Sequence, residues 1–98
     1  MGAIRLRDIR NQRDTILAIA NRHGATNVRV FGSVVRDEAR DESDVDFLVE
    51  MRPEHSPWFP SGLRLDLQEL LARNVDVVTE TMLDTEIRAD VLREAVAL

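Results

Sequence analysis

Two aspartates spaced by one residue, Asp44 and Asp46, open an apolar run, Phe47-Leu48-Val49, whose β-branched and aromatic content suits a strand. Side chains two apart on a strand share a face, so both carboxylates point the same way. Paired oxygen donors suit a hard cation such as Mg²⁺, and two such ions can flank the attacking and leaving oxygens of an in-line displacement at phosphorus. A dozen residues upstream, an apolar run (Val28, Val30, Phe31) ends in Gly32-Ser33, with Arg36 three residues past the serine. Glycine lets a backbone approach a ligand closely, free N–H groups at a helix start attract phosphate, and a guanidinium fork one turn on could pair with phosphate oxygens. The chemistry on offer is metal-assisted handling of a triphosphate.

A third carboxylate, Asp76, interrupts the valine run Val75-Asp76-Val77-Val78. An unpaired charge inside a strand is costly, so Asp76 needs a partner. If its strand lies beside that of Asp44 and Asp46 with matching pleat, three carboxylates converge, a crowding that divalent cations would neutralise.

Gly32-Ser33-x-x-Arg36, then Ser43-Asp44-x-Asp46 before an apolar strand, resembles the signature of the DNA-polymerase-β-like nucleotidyltransferase superfamily. The short chain points to its minimal nucleotidyltransferase (MNT) branch, the antitoxin half of HEPN/MNT toxin-antitoxin pairs. The likeness extends through Asn74 to Thr79 and the closing Arg93-Glu94-Ala95-Val96. It implies catalysis and metal binding by Asp44, Asp46 and Asp76, with two Mg²⁺ ions. It also implies nucleotide binding by Gly32, Ser33, Arg36 and Ser43, and transfer of AMP from ATP to a tyrosine of a cognate HEPN ribonuclease toxin. Val34, Val35 and Asp37 depart from the branch's usual small residues and glycine. Two alternatives stay open: a non-catalytic antitoxin that neutralises the toxin by binding, or a nucleotidyltransferase acting on RNA or a small molecule.

The elements that must position these groups follow from periodicity. Ile9, Ile16, Leu17 and Ala20 fit one face of a first helix over Arg7 to His23, stopped by Gly24. Asn27 to Phe31 is a strand, Ser33 to Arg40 a helix, and Asp44 to Met51 a second strand with Val45, Phe47 and Val49 on one face. Arg52 to Gly62, with three prolines around Trp58 and Phe59, is a loop. The two aromatic residues are expected to plug the core edge and His55 to be solvated, although the loop could bring a ring near a nucleotide. Leu63, Leu67, Leu70 and Leu71 mark a third helix, Val75 to Thr79 a third strand, and Asp84 to Leu98 a closing helix. The order reads α-β-α-β-α-β-α, a small α/β or α+β domain in which a mixed sheet packs against helices. The polymerase-β-like strand order is what the resemblance implies.

Ninety-eight residues leave room for one domain, 1–98. No apolar run is long enough for a membrane helix and no leader is evident, so a cytoplasmic protein without membrane attachment is expected. Absent cysteine excludes disulfides and thiolate sites. A net charge of −5 argues against direct nucleic-acid binding and suits a basic protein partner. All thirteen basic residues are arginine and there is no tyrosine, so a lysyl-nucleotide intermediate is excluded and a tyrosine acceptor would belong to another protein.

Overall fold

The sheet has the strand order β3-β2-β1-β4, with β1 (Ala25–Phe31) antiparallel to β2 (Val45–Met51) and β4 (Val96–Ala97), and β2 parallel to β3 (Val75–Val78). The computed structural model describes residues 3–98. The parallel pair needs a crossover, supplied by α3 (Ser61–Leu71). The helices α1 (Leu6–Arg10), α2 (Arg13–Arg22) and α4 (Thr85–Glu94) complete the fold. This is the expected mixed sheet backed by helices. Among the described residues no helix is long and apolar enough to cross a membrane.

Alternation along β2 divides the core. Val45, Phe47 and Val49 are fully buried in the main cluster with Ile9, Ile16, Val30, Leu63 and Leu67, so the stripes of α1, α2 and α3 cover one face. Leu48 points to the other face, where it meets Leu83 and Val91 beside Phe31, Val78 and Ala95. That second face also carries Asp46. It therefore holds a small apolar cluster towards the strand ends and leaves the beginnings of β2 and β3 open.

Local chemistry alters four expected elements. The first helix is two: Gln12 leaves helical geometry (φ −108°, ψ 19°) and restarts the chain as the N-cap of α2, its carbonyl accepting from Ile16 N–H at 2.9 Å. The helix expected over Ser33 to Arg40 is a short run of turns. Arg36 N–H bonds to Gly32 C=O at 3.2 Å, and the winding ends at Asp37, whose φ of 58° is left-handed. The closing helix stops at Glu94 because Ala95 turns extended (φ −60°, ψ 135°), freeing Val96–Ala97 to pair with Arg29 and Val30 as β4. The order is thus α-α-β-β-α-β-α-β.

The fourth change concerns the loop after β2. Phe59 packs against the main cluster, as expected, whereas Trp58 is 76% exposed and plugs nothing. Arg52 N–H bonds to Gly24 C=O at 2.8 Å and Ser56 N–H to His23 C=O at 3.1 Å, which ties the loop to the turn before β1. Gly24 has a φ of +84°, and a Cβ there would stand 2.5 Å from His55 Cα. The loop accordingly belongs to the far end of β2, roughly 17 Å of strand away from Asp46. His55 is exposed there, and no ring of this loop reaches the aspartates.

Candidate active site

Parallel pairing of β2 with β3 sets Val45 against Val75 and Asp46 against Asp76, while antiparallel pairing sets Phe31 against Asp46. One row across the sheet thus reads Asp76, Asp46, Phe31, with Asp44 two residues ahead of Asp46 on the same face. Val45 N–H bonds to Asn74 C=O at 3.0 Å and fixes that register from the first residue of the strand. The valines flanking Asp76, Val75 and Val77, are buried, and Asp76 itself is exposed. The pleat that buries its neighbours turns it out of the core, towards Asp46.

Asp46 is half-buried and forms no ion pair with any described residue; neither do Asp44 and Asp76. Burial first, then the like charges of Asp76 and Asp44, push its carboxyl from an ordinary 3.8 up to about 6, with Arg36 opposing and Glu94 adding to the rise. The site is short of positive charge.

Gly32 lies directly against this group. Its φ is +83°, and a Cβ built on it would collide with Asp46 Oδ2 and stand 3.3 Å from Cγ. Glycine suits the position on both counts, because a larger residue would have to carry the left-handed φ and displace the Asp46 carboxylate. Past it, the Ser33 N–H, the Ser33 hydroxyl and the Val34 N–H make no hydrogen bond among the described residues. Arg36 donates through Nε to Glu38 Oε1 at 2.6 Å and through Nη1 to Glu94 Oε1 at 2.5 Å. Those two carboxylates, Glu38 first, raise its already high pKa and secure its charge. Ser43 stands in the turn that feeds β2, where its Oγ accepts from Arg40 N–H at 2.8 Å.

The structure therefore brings Asp44, Asp46, Asp76, Gly32, Ser33 and Arg36 to one end of the sheet, and it places Ser43 next to them in a turn. Glu94, which the family likeness covers without giving it a role, is a further member. Its Oε2 accepts from Gly32 N–H at 2.7 Å across a separation of 62 residues, and no local pattern reports a contact of that range.

A Mg²⁺ ion fits this donor set. Among the described residues no three acidic or histidine side chains enclose a cation by themselves. Mg²⁺ does not require such a cage, since it commonly takes one or two carboxylates and completes its octahedron with water and substrate phosphate oxygens. Unpaired carboxylates on adjacent strands would provide the protein's share.

Fold and side chains together define a small nucleotidyltransferase. Residues 13–98 match the nucleotidyltransferase domain family, and the chain belongs to it. The protein adenylyltransferase MntA of Thermococcus cleftensis is 40% identical over 80 residues, which cover 80% of this chain and 79% of the relative. A solved minimal nucleotidyltransferase superposes with a TM-score of 0.83 at 43% identity, with 97% of each chain covered. A crystal structure of a toxin-antitoxin with AMP-PNP shares the fold, with a TM-score of 0.71 at 19% identity over 86% of this chain and 69% of the other.

Proposed function

We propose that this chain is the antitoxin of a HEPN/MNT pair and that it transfers AMP from Mg-ATP to a tyrosine of its HEPN ribonuclease toxin. The observation that carries the reading is the row of unpaired carboxylates on β2 and β3 ending at the Gly32-Ser33 turn. Similarity to a protein adenylyltransferase supports protein as the acceptor, and the absence of tyrosine from this chain requires that a tyrosine acceptor come from the partner.

Strand order supports a direction for the reaction. The phosphate donors Ser33 and Arg36 follow β1, whereas Asp76 sits on β3 at the sheet edge, with Asp44 and Asp46 between them. The β- and γ-phosphates lie over the turn, where the Ser33 N–H and hydroxyl and the Arg36 guanidinium hold them. The α-phosphorus then lies over Asp46, and the acceptor hydroxyl enters from the open edge beside Asp76, opposite the leaving group. The new bond joins the tyrosine oxygen to the α-phosphorus, the bond from that phosphorus to the β-bridging oxygen breaks, pyrophosphate departs, and the hydroxyl proton is released. Asp44, Asp46 and Asp76 would hold Mg²⁺, which supplies charge neutralisation of the phosphates and a more acidic acceptor hydroxyl. The short turn at Ser33 makes these contacts with few residues, which suits a domain of this size. Ser43 contributes by fixing the entry of Asp44 into β2.

The experiment is to incubate the chain with Mg-ATP and its toxin and to weigh the toxin. A gain of one AMP, absent with Asp44→Ala, is expected. An unchanged mass with folded protein that binds the nucleotide would reject the reading, and toxin neutralisation that survives Asp44→Ala would show that covering the toxin suffices.

A further inference from the structure

We propose that Glu94 is a positioning residue of the nucleotide site and that the C-terminal end of the chain is therefore part of that site. This rests on the nucleotidyl-transfer reading above. The carboxylate of Glu94, only 22% exposed, bridges two elements at once: Oε2 takes the Gly32 N–H at 2.7 Å and Oε1 takes Arg36 Nη1 at 2.5 Å. Charge-assisted bonds of this kind, made through both oxygens, fix direction as well as distance. The other partner of Arg36, Glu38, is two residues away and 63% exposed, so it travels with the turn and cannot anchor it. Glu94 anchors it to α4, and the pairing of Val96–Ala97 with β1 holds the chain just beyond in place.

The bonds are selective. Glu94 uses one backbone N–H and one corner of the guanidinium, whereas the Ser33 N–H, the Ser33 hydroxyl, the Val34 N–H and Arg36 Nη2 carry no hydrogen bond among the described residues. A carboxylate acting as a plug would take those donors. This one leaves them free and holds the turn that carries them, taking the Gly32 N–H out of the set offered to phosphate. Its help is confined to the β- and γ-phosphates, because the α-phosphate lies over the aspartates.

The test compares Glu94→Ala, Glu94→Gln and Glu94→Asp with the parent chain in Mg²⁺, using a non-hydrolysable ATP analogue and AMP as ligands. Glu94→Ala is expected to weaken the ATP analogue by about tenfold and AMP by less than about twofold, and Glu94→Gln, whose one carbonyl oxygen cannot serve both donors, should fall between. In an Arg36→Ala background the further loss from Glu94→Ala should shrink, as for residues acting through one another. Equal weakening of both ligands would mean only a damaged fold, and unchanged or tighter analogue binding would make Glu94 a bystander or a competitor; either result overturns the proposal. Hydrogen exchange of the Gly32 amide, read without nucleotide, separates the two levels of inference. Protection lost in Glu94→Ala supports the anchor even if the parent chain binds no nucleotide, and protection retained there refutes it even if nucleotidyl transfer is confirmed.

Discussion

Asp46 and Asp76 are register partners on the parallel strands β2 and β3, and neither is paired with a cation among the described residues. Their repulsion, added to burial, holds the Asp46 carboxyl at about 6 in the fold, against 3.8 for an ordinary aspartate. Between those values the folded chain keeps a proton that the unfolded chain has released. The contribution of Asp46 to stability therefore falls as pH rises through the window from 3.8 to about 6, and it is unfavourable at neutral pH. A two-unit shift is worth ~3 kcal/mol in a dry site, and solvent screening of a half-exposed group leaves about 1 kcal/mol. Asp46→Asn should thus raise the metal-free melting temperature at pH 7.5 by roughly 4–8 °C and give little gain near pH 4. Thermal unfolding at the two pH values decides it, and a gain independent of pH would contradict the electrostatic cause. Mg²⁺ should raise the melting temperature of the parent chain and not that of the variant.

Gly32 faces the same carboxylate from the turn that follows β1. Gly32→Ala must carry a left-handed φ of +83° and place its methyl on Asp46 Oδ2. The first effect costs about 1–2 kcal/mol, and the second adds a similar strain unless Asp46 moves. The double variant Gly32→Ala with Asp46→Ala should recover the steric part and retain the conformational part. Chemical denaturation of the four proteins measures the coupling, and simple additivity would show that the contact is unimportant.

The strand β2 was legible because Val45, Phe47 and Val49 recur two apart, which announced the core face and assigned the aspartates to the other, although Leu48 on that other face is buried as well. The stripe of α3 and the polar interruption at Asp76 were legible for similar reasons. The Ser33 turn was not, although a clue stood in the sequence: Asp37 occupies the place where the resembling family often has glycine, and that residue takes the left-handed φ that ends the winding. The break at Gln12 lies between isoleucines seven apart, a spacing that one helix or two satisfy equally. Glu94 and β4 depend on contacts across the whole chain, and a strand of two residues has no periodicity of its own.

Trp58 shows how composition misleads. Large aromatic side chains usually bury area, yet this one is exposed while Phe59 beside it packs on the core. Trp58→Ala should change stability by less than about 0.5 kcal/mol, and Phe59→Ala should cost roughly 1–3 kcal/mol. Trp58 is also the single tryptophan, so its emission reports directly on the loop. A maximum that barely moves on unfolding is expected, whereas a large red shift would mean that the ring is covered in the folded protein.

The position of Asp76 on the edge strand separates binding from chemistry. The Gly32-Ser33 turn, Arg36 and Glu94 gather at the β1 side of the sheet, so a triphosphate can be held without the β3 carboxylate. In the proposed reaction the acceptor hydroxyl arrives from the opposite side and depends on Asp76 for its activation. Asp76→Asn should therefore change the affinity for an ATP analogue by less than about threefold while transfer to the acceptor slows by about 10²–10⁴-fold. Arg36→Ala should give the converse pattern, weak nucleotide binding with a smaller loss at saturating nucleotide. The pair of variants is read by nucleotide titration and by the rate of mass gain on the toxin. If Asp76→Asn lost nucleotide binding and transfer in equal measure, Asp76 would serve the nucleotide itself, and the direction of attack deduced from the strand order would be wrong.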